Sequence, residues 1–230
     1  MPSTVKICGL STADTLSAAL DAGADMVGFV FFEKSPRFVG LDRAHALGEQ
    51  ARGEAQIVAL SVNASDHSLA AIVRALNPDF LQLHGSESPA RVAEIRRMFG
   101  IPTIKALGVA AADDFARAAD YVDAADWLLI DAKPPPGVAL PGGNGVPFDW
   151  SLARAFAPAK PWLLSGGLDL ENVAEAIRVT RAPGVDVSSG VESAPGVKDA
   201  GKIAAFVARA RAAYDGLAQS PAPTRLQEHT

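Results

Sequence analysis

Short apolar runs recur along the whole chain, and the segments between them space their apolar residues as amphipathic helices do. Most runs are continuous rather than alternating, which is typical of strands buried on both faces. Eight runs are strand candidates, namely VKICGL, MVGFVFF, QIVALSV, FLQLHG, TIKALGV, WLLIDA, PWLLSGG and GVDVSSG. A helix candidate follows each one, so the pattern predicts eight strand–helix units.

Several helix candidates carry start signals. Ser11 and Ser65 are of a type that caps helix N-termini, Pro89 suits a first turn, and Asp169 opens the segment DLENVAEAIRVTRAPG. After the sixth run, a long loop rich in glycine and proline leads to the helix candidate DWSLARAFAP. Each of these signals predicts a helix that begins at or just after the named residue.

Alternating strands and helices predict a parallel sheet with right-handed crossovers. Eight units favour a single (β/α)8 TIM barrel over residues 1–215. The alternative is an open doubly wound sheet, which usually carries several glycines after its first strand. Here only Gly9 follows that strand. Residues 216–230 lack sustained periodicity and contain Pro221 and Pro223, so we expect a disordered C-terminal tail.

Composition narrows the class of protein. The net charge is −5 without runs of like charge, which argues against nucleic-acid and membrane partners. No apolar stretch reaches the roughly 18 residues of a membrane helix, and the N-terminus does not resemble a signal peptide. Cys8 is the single cysteine, so no internal disulfide forms and a reducing compartment is expected. Together these features predict a cytoplasmic protein.

Polar residues gather where the strand candidates end, and in a barrel of this type the active site lies at the C-terminal strand ends. Cys8 ends the first run, Arg37 follows the second, His84 the fourth, Asp131 the sixth, and Asp186 lies in the eighth. Cys8 and Asp131 are candidates for a general base and a general acid that face each other. The alternative for Cys8 is a buried core residue.

The last two strand ends predict a phosphate site. LSGGL supplies Gly166 and Gly167, and DVSSG supplies Ser188, Ser189 and Gly190. Small residues with free N–H groups let the backbone approach an anion closely, and the loops after strands seven and eight commonly bind phosphate in this fold. The alternative is that these glycines only form tight turns.

The order of several motifs resembles one known family. VKICG, SPR, LQLHG followed by Glu87, GGNG before FDW, SGGL, DVSSGVE and PGVKD occur in its order over residues 5 to about 210. The chain resembles the phosphoribosylanthranilate isomerases of tryptophan biosynthesis. Two departures are GGNG for the commoner GGTG, which introduces Asn144, and LSGGL for LAGGL, which introduces Ser165.

The resemblance implies an aldose–ketose isomerase without cofactor or metal. The reaction is an Amadori rearrangement of N-(5-phosphoribosyl)anthranilate to 1-(2-carboxyphenylamino)-1-deoxyribulose 5-phosphate. Asp131 would protonate the ribose ring oxygen, Cys8 would remove the C2′ proton, and Arg37 would hold the anthranilate carboxylate or shield the site. The resemblance also implies that the phosphate is bound by Gly166, Gly167, Ser188, Ser189 and Gly190. The rest of the substrate would be contacted by His84, Gly142, Gly143, Asn144, Gly145 and Asp186.

The expected partner is a small phosphorylated aminosugar, bound by a monomer or a homodimer. Three alternatives stay open. Lys6 or Lys105 could form an imine in a lyase or aldolase, a barrel without catalysis could only bind phosphate, and the aminoaldose of histidine biosynthesis could be the substrate. Lys6 shares a strand face with Cys8, which makes it a candidate for lowering the pKa of the thiol.

Overall fold

The computed structural model describes residues 3–133 and 148–219. Within them, eight parallel strands close into a barrel in chain order. They are β1 (Thr4–Cys8), β2 (Met26–Val30), β3 (Gln56–Ser61), β4 (Phe80–Leu83), β5 (Thr103–Val109), β6 (Trp127–Ala132), β7 (Trp162–Leu164) and β8 (Gly184–Val187). Because β1 pairs with both β2 and β8, the sheet is closed. The predicted TIM barrel is therefore confirmed, and the open sheet is excluded.

Helices follow the strands and form the outer layer. They are α1 (Ala13–Asp21), α2 (Leu41–Ala51), α3 (Asp66–Leu76), α4 (Pro89–Phe99), α5 (Ala112–Ala116), α6 (Val173–Thr180) and α7 (Ala200–Gln219). Among the described residues, none of these helices has both the length and the apolar character needed to cross a membrane. The segment after β6 corrects a prediction, since DWSLARAFAP forms only a 3-10 helix at Trp150–Ala153. Pro158 limits the segment, because the residue before a proline is disfavoured in the helical conformation and proline lacks a backbone N–H.

Helix starts agree with the sequence in two places and differ in two. Ser65 caps α3 by accepting a hydrogen bond from Ser68 N, and Pro89 is the first residue of α4. Thr12, not Ser11, caps α1. Asp169 forms a turn by accepting from the backbone of residues 171 and 172, so α6 begins only at Val173.

The C-terminal helix runs past the expected barrel boundary at residue 215. α7 extends to Gln219, because Tyr214 and Leu217 pack against the hydrophobic core and continue the helical face. The prediction of a tail from residue 216 is wrong for positions 216–219. Residues 220–230 lie outside the described residues, so the disordered tail stays a prediction there.

Aspartates anchor the N-terminal ends of the strands. Each one directly precedes a strand and accepts a hydrogen bond from a backbone N–H of the preceding strand. The pairs are Asp25 with Val5 at 2.6 Å, Asp79 with Ile57 at 2.7 Å, and Asp126 with Thr103 at 2.9 Å. These bonds secure the end of the barrel opposite the predicted active site, where stability rather than chemistry is at stake.

A short hairpin, which the sequence reading did not anticipate, separates β8 from α7. Its strands β9 (Glu192–Ala194) and β10 (Val197–Lys198) pair antiparallel and come from the motifs SSGVE and PGVKD. Gly196 in the turn approaches the carbonyl of Pro36 so closely that a β-carbon would clash with it. The hairpin therefore packs against the loop that carries Arg37.

Candidate active site

The barrel interior changes from apolar to polar over one two-residue step along the strands. The inner layer consists of apolar side chains, including Met26, Val58, Phe80, Leu129 and Leu163. Two residues further along β4, β6 and β7, the same strand faces present Gln82, Asp131 and Ser165. The sequence thus places a layer of apolar side chains directly beneath a polar cavity.

A cavity lies at the C-terminal strand ends. Nine of the predicted residues line it, namely Cys8, Arg37, His84, Asp131, Gly166, Gly167, Asp186, Ser188 and Ser189. Gln82 also lines it, although the sequence reading did not single it out. Gly142, Gly143, Asn144 and Gly145 lie outside the described residues, so their predicted contacts stay predictions.

Cys8 lies on the cavity wall with 3% of its surface exposed. Burial raises the pKa of its thiol, and the Asp186 carboxylate raises it further, whereas the Lys6 and Lys198 ammonium groups lower it. Burial dominates, so the thiol pKa lies above its ordinary value. Lys6 therefore acts in the direction that the sequence predicts but does not by itself bring the pKa below normal.

Lys6 is fully buried and forms an ion pair with Asp186, with 2.6 Å between Nζ and Oδ1. Burial lowers the pKa of Lys6, but the charges of Asp186 and Cys8 outweigh it, so the pKa is raised. The second carboxylate oxygen of Asp186 accepts a hydrogen bond from Ser165 Oγ at 3.1 Å. Ser165, one of the two departures from the family pattern, is thus a donor to Asp186.

Asp131 ends a hydrogen-bonded chain of three side chains on the other side of the cavity. Its Oδ2 lies 3.2 Å from His84 Nε2, and its Oδ1 accepts from the backbone N–H of Ala132 at 2.8 Å. His84 Nδ1 in turn lies 3.0 Å from Gln82 Nε2. If the Gln82 amide donates to Nδ1, the His84 tautomer with a proton on Nε2 donates to Asp131. Gln82 and His84 therefore orient the carboxyl group.

Arg37 belongs to a buried network that reaches three chain segments. Its Nε and Nη2 donate to the two carboxylate oxygens of Glu192 at 2.7 and 2.9 Å. Lys198 Nζ donates to Glu192 Oε1 at 2.7 Å and to the Ser188 carbonyl at 2.8 Å. Burial opposes ionisation of Glu192, but Arg37 and Lys198 outweigh it and lower the pKa of the carboxyl. The hairpin thereby fixes both Arg37 and the Ser188 loop.

Glu192 and Lys198 were missed as functional residues. Both stand in motifs that the sequence singles out, SSGVE and PGVKD, but only as marks of resemblance. The signal that could have found them is the charge itself, since a glutamate and a lysine at near-apolar positions beside a strand end require partners when buried.

The two predicted phosphate turns are built by close backbone packing. Gly166 and Gly167 have φ of 85° and 67°, and a β-carbon on Gly166 would lie 2.5 Å from Ala132 N. Gly190 is packed against the Leu168 carbonyl and bridges Asp169. Gly190 therefore brings the two turns together, while Gly166, Gly167, Ser188 and Ser189 face the cavity.

Lys105 lies outside the cavity. It is buried on β5 and binds Glu87 Oε2 at 2.8 Å and the carbonyls of Leu83 and Gly85 at 3.1 and 2.7 Å. Its neighbours Ile104 and Ala106 pack inside the barrel, so Lys105 faces the outer layer. This orientation removes it as a candidate for an imine with a substrate in the cavity.

Metal ligands are not grouped in the part of the chain that the structure describes. Across residues 3–133 and 148–219, no three His, Cys, Asp or Glu side chains come together as they would around an ion. That the reaction needs neither metal nor cofactor stays a prediction of the resemblance.

Comparison with known proteins decides the family. The family model described as N-(5'-phosphoribosyl)anthranilate (PRA) isomerase matches residues 5–209. The chain belongs to this isomerase family. The resemblance read from the motifs is confirmed, and with it the assignment as an isomerase of tryptophan biosynthesis.

Individual members of the isomerase family match over nearly their whole length. The N-(5'-phosphoribosyl)anthranilate isomerase of Rhodopseudomonas palustris strain BisA53 is 59% identical over 212 residues, which cover 92% of this chain and 97% of the relative. The crystal structure of phosphoribosyl anthranilate isomerase from Thermotoga maritima is 34% identical, with a TM-score of 0.82, and the match covers 91% of this chain and 99% of that one.

A third similar protein was solved with a bound ligand. It is a phosphoribosyl anthranilate isomerase in complex with reduced 1-(o-carboxyphenylamino)-1-deoxyribulose 5-phosphate. Its sequence is 33% identical, the TM-score is 0.77, and the match covers 91% of this chain and 99% of that chain.

Proposed function

We propose that the chain catalyses the Amadori rearrangement of N-(5'-phosphoribosyl)anthranilate, with Asp131 as general acid and Cys8 as general base. The observation that carries the proposal is that both groups line one cavity, from the ends of β6 and β1. Three strand steps around the closed barrel separate them, which suits an acid and a base on opposite sides of a sugar. The ligand of the related isomerase has the carbon skeleton of the proposed product.

In the first step, protonated Asp131 gives its proton to the ribose ring oxygen. The C1′–oxygen bond breaks as the lone pair of the anilino nitrogen forms a C=N bond, so the ring opens to a protonated Schiff base. His84, 3.2 Å from the carboxylate, is placed to return a proton to Asp131. A positioned general acid accelerates such a step by about 10²–10⁴-fold.

In the second step, the Cys8 thiolate takes the proton from C2′. The electron pair of that C–H bond forms a C1′=C2′ double bond and neutralises the nitrogen, which gives an enolamine. Transfer of the proton from the C2′ hydroxyl to C1′ then produces the ketone. The proposed base starts this step as a thiolate, although its burial favours the neutral thiol.

Two anion-binding regions suit the two anionic ends of the substrate. The backbone N–H groups and hydroxyls around Gly166, Gly167, Ser188 and Ser189 would receive the phosphate. Arg37 would receive the anthranilate carboxylate, because guanidinium matches a carboxylate in shape and charge. Glu192 already occupies Nε and Nη2 of Arg37, so the substrate would meet the Nη1 edge.

The test compares Cys8→Ala and Asp131→Asn with the matched control Asp120→Asn, which alters an exposed carboxylate. We expect each site variant to lower kcat/KM by at least about 100-fold while circular dichroism and the unfolding midpoint stay near wild type. The control should keep wild-type turnover. Near-normal turnover in a folded Cys8→Ala or Asp131→Asn protein would overturn the role of that residue.

We further propose that the chain works in the cytoplasm as a monomer or a homodimer and needs no cofactor. Its low net charge and single cysteine support the compartment. Sedimentation of the purified chain measures the oligomeric state, and turnover after exhaustive dialysis against a chelator tests the independence from metal.

A further inference from the structure

Lys6 is a fully buried charge inside the barrel that the proposed reaction steps do not use. It lies two residues before Cys8 on β1, so both side chains leave the strand on the same face. In the closed barrel, Lys6 is in register with Asp186 of β8, and Cys8 is in register with Gly28 of β2. The backbone alone therefore brings an ammonium, a carboxylate and a thiol together.

The Lys6 ammonium lies close to both the carboxylate and the thiol. Its Nζ is 2.6 Å from Asp186 Oδ1, and its charge acts on Cys8, whose thiol pKa it lowers. A β-carbon placed on Gly28 would lie 3.0 Å from Cys8 Sγ and 3.3 Å from Lys6 Nζ. Sulfur and nitrogen thus converge over one glycine, in a space that a larger side chain would fill.

Asp186 is itself held from its other side. Its Oδ1 accepts from Lys6, and its Oδ2 accepts from Ser165 Oγ at 3.1 Å. An ammonium has three N–H donors, so Lys6 can serve Asp186 and a second anionic acceptor simultaneously. The carboxylate therefore fixes the ammonium and leaves a donor for the thiol.

We propose that Lys6 is a positioning residue for the base: its ammonium binds the Cys8 thiolate, while Asp186 and Ser165 hold that ammonium in place. The proposal rests on the proposed function of Cys8. Without a counter-ion, a thiolate in this cavity would be a buried, unpaired charge, which is strongly unfavourable.

The charged groups that face Cys8 act in opposite directions. Lys6 on β1 and Lys198 on β10 favour the thiolate, and Asp186 on β8 disfavours it. Lys198 also belongs to the network with Arg37 and Glu192, which carries one net positive charge when all three are ionised. With Cys8 ionised, the group of Lys6, Asp186 and Cys8 carries one net negative charge, so the two clusters compensate each other.

The single cysteine makes this testable without substrate, because every adduct formed by iodoacetamide and detected by mass is at Cys8. The midpoint of alkylation rate against pH, taken relative to the high-pH plateau, gives the thiol pKa independently of access. We expect Lys6→Met to raise this midpoint by about one unit or more, and Asp186→Asn to lower it. Lys34→Met, which removes an exposed lysine, should leave it unchanged.

The expected midpoint shifts of Lys6→Met and Asp186→Asn have opposite signs, and this distinguishes a counter-ion role from a merely structural one. A loosened fold would move both midpoints the same way, toward that of a free thiol. The double variant Lys6→Met/Asp186→Asn leaves no uncompensated charge, so it guards against failure of Lys6→Met to fold. Its midpoint should lie above that of Asp186→Asn, because it also lacks the ammonium, and a midpoint equal to that of Asp186→Asn would overturn the proposal.

Equal or absent shifts in folded Lys6→Met and Asp186→Asn would overturn the proposal. Turnover separates this failure from that of the proposed function. If Lys6→Met shifts the midpoint but Cys8→Ala retains activity, the counter-ion role stands and the role of Cys8 as base is wrong.

Discussion

Two buried lysines, Lys6 and Lys105, have similar sequence settings and different surroundings. Each lies within a strand, with 0% and 1% of its surface exposed, and each pairs with a carboxylate. Lys6 faces the interior beside Cys8, whereas Lys105 faces the layer between the sheet and the helices. Burial lowers the pKa of both, but two anionic partners reverse this effect for Lys6, while Glu87 does not fully reverse it for Lys105.

The surroundings of Lys105 indicate a role in holding a loop. Its ammonium binds Glu87 and two carbonyls of the segment after β4, and Glu87 accepts further hydrogen bonds from the backbone of Asn63 and Gly85. Tyr121 donates to the Glu87 carbonyl. This loop follows His84, so Lys105 supports the site from outside, and Lys6 stands within it. The partners of Lys105 belong to a loop, whereas the partners of Lys6 include a thiol and a carboxylate that line the cavity.

The largest expected difference between the lysines is in turnover. Lys6→Met should lower kcat/KM by about 100-fold or more, because the base loses its counter-ion. Lys105→Met should keep kcat/KM within about tenfold, since it touches no cavity residue directly. Steady-state assays at a temperature where circular dichroism shows both variants folded make the comparison. Equal losses would remove the functional distinction between the two sites.

The Lys105 site should contribute to the stability of the fold, and removal of its charge partner tests this. Glu87→Gln leaves the Lys105 ammonium without a charge partner, so we expect the free energy of unfolding to fall by about 3 kcal/mol. The control Glu49→Gln removes an exposed carboxylate 3.2 Å from Arg52 and should cost less than about 0.5 kcal/mol. Urea unfolding of both variants measures the difference. Similar small losses would mean that the buried pair contributes little to stability.

Glycines provide a sharper test of how tightly the Lys6 site is packed. A β-carbon on Gly28 would press against Cys8 and Lys6, whereas one on Gly108 of β5 would lie 3.5 Å from its nearest neighbour, an ordinary contact. We expect Gly28→Ala to lower turnover by about tenfold and Gly108→Ala to leave it unchanged. Turnover of the two variants under identical conditions tests this. Unchanged turnover in Gly28→Ala would show that Cys8 and Lys6 can move to accommodate a β-carbon.

The fold and much of the cavity were predictable because both follow local rules. Buried parallel strands read as continuous apolar runs, and period-two alternation brings the strand-end residues Cys8 and Asp131 into the barrel mouth. Helix starts were less certain: Ser11 and Thr12 are adjacent residues that can both cap, and only the hydrogen bond to Thr15 N decides between them.

Partnerships across the barrel were not predictable in the same way. The pairing of Arg37 with Glu192 joins positions 155 residues apart, and no local pattern specifies it. The same holds for Lys6 with Asp186, whose contact depends on closure of the sheet between β1 and β8. Lys105 and Lys6 both looked like possible imine formers, and only the strand face that the barrel imposes tells them apart.

The smallest expected difference between the lysines is the sign of the change in the free energy of unfolding with pH, measured in alkaline solution. Lys105 has a folded pKa below its ordinary value of 10.5, so between that pKa and 10.5 the unfolded chain binds more protons and the Lys105 contribution to stability rises with pH. Lys6 has a folded pKa above 10.5, so its contribution is complete below pH 10.5 and is lost as pH rises through the folded pKa. Each slope is at most about 1.4 kcal/mol per pH unit. Urea unfolding on both sides of pH 10.5 should therefore show Lys105→Met without the rise and Lys6→Met without the fall, and slopes that change in the same direction would contradict the contrast between the two sites.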